Sequence, residues 1–351
     1  MANRVFFEDI QRVISNEHIA WLELSNSTVF VTGATGLIGS ILVHVLHAAD
    51  DKYGLKLRIV GSGRNAPVGK VLTKSGGLDT FAEHDVREPF DHDALPEQLD
   101  YIFHCAAMTQ SADMVTNPVD VITMSVYGVR NALELARAKR CRSFVYLSSM
   151  EAYGQTELAE VRESDLGYLD LSKPRSCYPE SKRLCENLCA AYRAQYGVPA
   201  KIARLALTFG AGASIDSKDN RVAMQFARKA IAGEDIELHT SGDSIINCCY
   251  TADAISGLLL IALKGKNGEA YNIANPAAAV TVREMAETVA DKVCGGRIGV
   301  ITRIPDNPDK KGYAPDCGYV LNADKLKGLG WHPQYGLADM YKRLTADLEG
   351  Q

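Results

Sequence analysis

The run Gly33-Ala34-Thr35-Gly36-Leu37-Ile38-Gly39 constrains this chain more than any other segment. It follows a short β-rich stretch, Thr28–Thr32 (TVFVT), and opens an apolar stretch of helical spacing over 36–49. Gly33 permits a tight turn, and Gly36 lets backbone approach a pyrophosphate. Gly39 lets the helix pack closely on the strand. The helix start then offers unpaired N–H groups and a positive dipole end to phosphate. The pattern predicts a dinucleotide site at Gly33, Thr35, Gly36, Leu37, Ile38 and Gly39.

Strand-like and helical stretches alternate from this point. Strands are expected at 57–60, Tyr101–His104 (YIFH), 144–147 and 201–205, and long helices at 119–139 and 178–196. An extra helix is expected at 6–24. Alternation of this kind predicts right-handed βαβ units and an α/β fold, a Rossmann doubly wound parallel sheet that binds ligands at its carboxyl edge. After about Leu207 the texture changes to a polar loop, 210–220 (GAGASIDSKDN), and shorter elements. These are helices at 221–232 and 253–263, strands at 236–239 and 271–274, and further pieces at 282–293, 322–329 and 336–348. The expected organisation is a dinucleotide domain over 1–206 and a smaller C-terminal α/β substrate lobe over 207–351. Part of the latter, about 247–275, is expected to return to the first domain.

The second strand of such a domain usually ends in an acid that binds the adenosine ribose. Here Val60-Gly61-Ser62-Gly63-Arg64-Asn65 carries none, and Arg64 suits a 2′-phosphate. This favours NADP over NAD, although Arg64 also reads as a solvated surface charge. Asp85 and Val86, after the third strand, are candidates for the adenine, and Asp85 reads equally as a turn residue.

Tyr178-Pro179-Glu180-Ser181-Lys182 places Tyr178 and Lys182 on one face of a helix. A tyrosine titrates near pH 10 and is a poor base at neutrality. A nearby ammonium and a positive nicotinamide both favour the phenolate, so Tyr178 can take a hydroxyl proton while hydride leaves the same carbon. The strand ending Tyr146-Leu147-Ser148-Ser149-Met150-Glu151 brings Ser149 as a hydrogen-bond partner for the reacting hydroxyl. Ser148 is expected to be satisfied by backbone. Glu151 reads either as an acid or base toward a sugar or as an ordinary helix-start carboxylate.

The order GATGLIG, HCAA (104–107), SSMEAYG and YPESK resembles the extended short-chain dehydrogenase/reductase (NAD-dependent epimerase/dehydratase) family over nearly the whole chain. Within it, 173–183 (KPRSCYPESKR) and 203–210 (ARLALTFG) are most similar to UDP-glucuronate decarboxylases and their 4,6-dehydratase relatives. The resemblance implies an enzyme with Ser149, Tyr178 and Lys182 as catalytic triad and Glu151 as the decarboxylase/dehydratase glutamate. It implies cofactor contacts at Ala106, Ala107, Tyr178 and Lys182. A nucleotide-sugar substrate is implied at Ser149 and Glu151, and so is a homodimer through the two long helices. Three positions depart from the pattern. The family's asparagine in the long helix is Ser125, the asparagine before TFG is Leu207, and the diphosphate-gripping arginine falls at Ile246. Arg221 is a candidate to hold the phosphates instead, or is a surface residue. Met150 stands where glucose-type dehydratases carry an acid, and a thioether donates no proton. Decarboxylation is therefore slightly favoured over dehydration and epimerisation. The rivals are an NADPH-dependent reductase of a small carbonyl or sugar, and a dinucleotide-binding sensor without chemistry.

A net charge of −5 excludes a basic nucleic-acid footprint. No apolar run reaches membrane-spanning length, and residues 1–10 lack a signal-peptide core, so a cytoplasmic protein is expected. Nine cysteines without a CxxC pair fit reduced thiols. Cys185 and Cys189 share a helix face without ligand partners, so packing is expected and no metal.

Overall fold

The structure is a computed structural model that describes residues 4–65, 79–215, 217, 219–304 and 316–351. Strand β1 (Thr28–Thr32) is apolar on both faces and almost wholly buried, as a central strand covered from both sides must be. Parallel to it run β2 (Arg58–Gly63), β3 (Thr80–Glu83), β4 (Tyr101–His104), β5 (Ser143–Ser149), β6 (Ala200–Leu205) and β7 (Ala270–Ile273). In these labels the sheet order is 3-2-1-4-5-6-7. The order reverses between β1 and β4, which opens a crevice at their carboxyl ends.

One face of the sheet is covered by α2 (Leu37–Tyr53) and a helix at Thr251–Lys264, and α1 (Arg4–Ile14) packs on these two helices. The other is covered by α3 (Pro118–Ala138) and α4 (Cys177–Tyr196), which pack on each other. A three-stranded sheet combines Leu207–Phe209, Ile245–Tyr250 and Asn275–Thr281. Two-stranded sheets pair Ile236–Leu238 with Val300–Thr302 and Glu160–Val161 with Val320–Leu321. Among the described residues no helix is long and apolar enough to cross a membrane, and none of their side chains form a metal-holding cluster.

The expected helix at 6–24 is corrected to α1 plus a separate 3₁₀ turn at Trp21–Leu24. The Asn16 side chain accepts from the His18 N–H at 3.0 Å, a local alternative that ends the helical ladder. In the piece at 322–329 the helix is confined to Asp324–Lys327, because Leu321 joins a strand and the Asn322 side chain accepts from the Asp324 N–H. The run at 282–293 is an α-helix only to Thr288 and widens into a π turn over Val289–Val293.

Candidate active site

The glycine turn sits at the topological crevice. Gly33 has φ +64°, and a Cβ there would lie 2.8 Å from the backbone of Ala106, just past β4. A Cβ on Gly39 would lie 2.2 Å from the Gly33 carbonyl oxygen. Gly36 caps α2 without a side-chain hydrogen bond, and Thr35 and Gly36 are exposed. This cradle has no room for Cβ atoms and ends on open helix N–H groups, so it fits a pyrophosphate. Leu37 and Ile38 form the first turn of α2.

Gly63 ends β2, where an acid would meet the ribose. A Cβ there would touch the Thr35 hydroxyl at 3.3 Å, and Arg64 beside it is exposed. Asp85 forks onto Arg87, with a closest approach of 2.6 Å. The Asp85 carboxyl is held below its usual range by that hydrogen bond. Val86 is buried, and its side chain packs toward Gly128.

Helix α4 brings Tyr178 and Lys182 under the end of β5. Both are buried. The Lys182 ammonium donates to the Leu147 carbonyl at 2.8 Å and lies 4.9 Å from the Tyr146 ring centroid and 5.5 Å from that of Tyr178. Burial pulls Lys182 down to about 8. Tyr178 is pushed up to about 12, first by burial and then by the Glu151 carboxylate. The hydrogen bond from Ser149 and the charges of Arg221 and Arg175 oppose that rise. The expectation of a lowered phenol is therefore corrected for the free protein, where desolvation outweighs the nearby cations. His104 beneath the site accepts or donates at 3.0 Å with Thr32 and is driven down to about 3 by burial, so it stays neutral.

Ser149 caps the short turn Met150–Tyr153 by accepting from the Glu151 N–H at 3.2 Å. Glu151 is bound by a two-pronged Arg175 contact, at 2.9 and 3.1 Å. Arg175 precedes Tyr178 by three residues and had no role assigned from sequence; its place in the KPRSCY stretch was the available signal. Arg221 lies within electrostatic reach of Tyr178, but its guanidinium is taken by Asp219 at 2.6 Å. Ser148 is not satisfied by backbone as expected; its hydroxyl donates to Glu186 at 2.5 Å. Of the departures, the Ser125 hydroxyl folds back onto the Val121 carbonyl at 2.7 Å, and Leu207 and Ile246 pack against the core.

A sheet of this order with a glycine cradle at its crevice defines a dinucleotide-binding α/β protein. The chain belongs to the NAD dependent epimerase/dehydratase family, whose sequence profile matches residues 29–274. Arabidopsis thaliana UDP-glucuronic acid decarboxylase 6 is 32% identical over 92% of this chain and 89% of its own. Xenopus tropicalis UDP-glucuronic acid decarboxylase 1 is 28% identical over 94% of this chain and 75% of its own. Among solved structures, a dTDP-glucose 4,6-dehydratase from Streptomyces venezuelae with NAD bound superposes with a TM-score of 0.73. It is 22% identical and covers 92% of this chain and 97% of its own. Thermotoga maritima UDP-glucose 4-epimerase gives 0.76 at 21% identity, covering 92% and 99%.

Proposed function

We propose that this enzyme modifies a nucleotide sugar by transient oxidation at sugar C4, and that its reaction is decarboxylation of a uronic acid. The observation that carries the reading is the gathering of Tyr178, Lys182, Ser149 and Glu151 at the end of β5, with Arg175 forked onto Glu151. When bound, the oxidised dinucleotide supplies a two-electron acceptor and a positive ring charge. Tyr178 Oη takes the C4 hydroxyl proton, and Ser149 Oγ orients that hydroxyl by a hydrogen bond. Lys182 holds a positive charge near the phenol, which favours its ionised form. Glu151, kept oriented by Arg175, faces the sugar as its acid or base. A C4 ketone makes a C6 carboxylate the acid group of a β-keto acid, which loses carbon dioxide readily. The thioether of Met150 offers no proton for glucose-type loss of water.

The cofactor residues of this reading are Gly33, Thr35, Gly36, Leu37, Ile38, Gly39, Asp85, Val86, Ala106 and Ala107, with Arg64 tilting the choice to NADP. Gly63 supports that tilt, since it leaves no carboxylate to repel a 2′-phosphate. Arg221, released from Asp219, grips the substrate phosphates. We place the substrate lobe after residue 206, with 247–275 returning to the dinucleotide domain. The homodimer is supported by exposed apolar residues on α3 and α4: Val119 (71% exposed), Ile122, Tyr127 and Leu184 (48%). Mass spectrometry of products from UDP-, GDP-, CDP- and dTDP-sugars with either cofactor tests the reaction. Loss of carbon dioxide from a uronic acid is expected. Loss of water or an isomer of equal mass names a sister reaction, and no change across the panel overturns the substrate class.

A further inference from the structure

Several titratable groups lie close to Lys182. Tyr146 on β5, Tyr178 one turn earlier on α4, His104 on β4, Cys105 just beyond it, and Cys185 on its own helix are all close. Burial pushes Cys105 up to about 12 and Cys185 to about 11, raises Tyr146 and holds His104 at about 3. None of these changes charge between pH 5 and 10. Two carboxylates, Glu151 and Glu186, also act on Lys182. Each is matched to an arginine. Glu151 is held by Arg175. Glu186, one helical turn beyond Lys182, receives a two-pronged contact from Arg204 at 3.0 and 2.7 Å.

The second pair is built into the sheet. Arg204 stands directly opposite Ser148 in the β5–β6 register, and the Ser148 hydroxyl donates to the same carboxylate. Arg204 also donates to the Glu163 carbonyl at 2.8 Å and lies 4.7 Å from the Tyr153 ring centroid. The Tyr153 hydroxyl in turn donates to Asn272 of β7 at 2.6 Å. Ser148 is the residue before Ser149. The network therefore ties the catalytic strand end, the catalytic helix and β6 at one carboxylate, and reaches β7 through Tyr153.

We propose that Glu186 and Arg204 are positioning residues of the Tyr178–Lys182 site: Arg204 holds Glu186 against the sheet and cancels its charge, so that neither partner of the pair biases the charge state of Lys182. An unmatched carboxylate one turn away would lock Lys182 as an ammonium; an unmatched arginine would drive it neutral. This inference rests on Lys182 being the ammonium of the site, but its test reads Lys182 directly. It stands apart from the substrate panel and from any turnover measurement.

The test is a titration of protein carrying ¹³C at lysine Cε, followed by NMR from pH 6 to 11. The Lys182 signal is assigned by its loss in Lys182→Arg. In Arg204→Met the Lys182 midpoint is expected to move up by roughly one pH unit, the size of one charge at one-turn spacing in a protein interior. In Glu186→Gln it moves down by a similar amount, and in the double variant it returns close to the wild-type value. A pair that matters only for packing would loosen the site in either single variant. Water entry would then move Lys182 upward in both. Movement in the same direction, or no movement in any variant, overturns the proposal. Should Arg204→Met fail to fold, Glu186→Gln decides alone: a downward shift supports the proposal, and an upward shift or none refutes it.

Discussion

Replacing Gly39 by alanine should damage cofactor binding through backbone geometry alone. The new Cβ would stand 2.2 Å from the Gly33 oxygen, 2.9 Å from its carbonyl carbon and 3.0 Å from the Ala34 Cα. All three are backbone atoms, so no side chain can swing aside. Relief requires α2 to withdraw from the Gly33–Ala34 turn. Forced overpacking of this kind costs about 1–3 kcal/mol, or about 1–4 °C in Tm for a chain of this size. The same retreat moves the helix N-terminus off the pyrophosphate. That interaction is worth up to about 2 kcal/mol, so the Kd for NAD⁺ or NADP⁺ should weaken by up to roughly thirtyfold. Calorimetric titration with each dinucleotide measures the binding, and a thermal melt measures the stability. Gly54→Ala is the control. Gly54 also has a positive φ, +63°, but an added Cβ meets nothing within 4 Å. It should lose about 1 kcal/mol of stability to backbone strain and bind the cofactor as wild type does. Wild-type binding in Gly39→Ala would refute the close-packing argument, and so would equal binding losses in both variants.

Lys201 gives a pH-dependent stability test remote from the site. It is buried at the start of β6, donates to Ser143 Oγ at 2.7 Å and to the Ala262 carbonyl at 3.1 Å, and is lowered to about 8 by burial. Because its folded value lies below the unfolded one, the folded chain sheds this proton first. The charge penalty is full below pH 8 and disappears as pH rises toward 10.5. The stability of Lys201→Met relative to wild type should therefore fall across pH 8 to 10.5 in denaturant titrations; a flat difference would contradict this. Arg64→Ala should weaken NADP⁺ about tenfold more than NAD⁺, and an unchanged ratio of the two Kd values would remove Arg64 from cofactor choice. Ile122→Lys, on the exposed face of α3, should halve the mass seen by sedimentation at micromolar protein, whereas an unchanged mass would place the dimer contact elsewhere.

The glycine turn and the central strands were legible because each depends on local needs: no Cβ at 33 and 39, and continuous apolar runs in doubly covered strands. Strand β3 was legible only as a third strand before Asp85, without bounds, because it is a half-exposed edge with one large apolar residue, Phe81. The strand Ile245–Tyr250 escaped because its side chains pack in a three-stranded sheet whose partners lie far off in sequence. At the candidate site the sequence pointed to Tyr178 and Lys182 through their four-residue spacing. It could not show that burial raises the Tyr178 pKa, since that depends on everything packed around it. Nor could it couple Arg175 to Glu151 or Arg204 to Glu186, pairs separated by 24 and 18 positions. Asp219 beside Arg221 was visible in the chain, but not its fork onto that guanidinium.

The most direct test of transient oxidation uses UDP-glucuronate carrying deuterium at C4, with product mass and nicotinamide absorbance followed together. The account predicts a pentose product that keeps its deuterium, no net change in absorbance, and no turnover in Tyr178→Phe. Reduced nicotinamide accumulating in step with product, or deuterium missing from the product, would contradict it and assign a simple dehydrogenase instead.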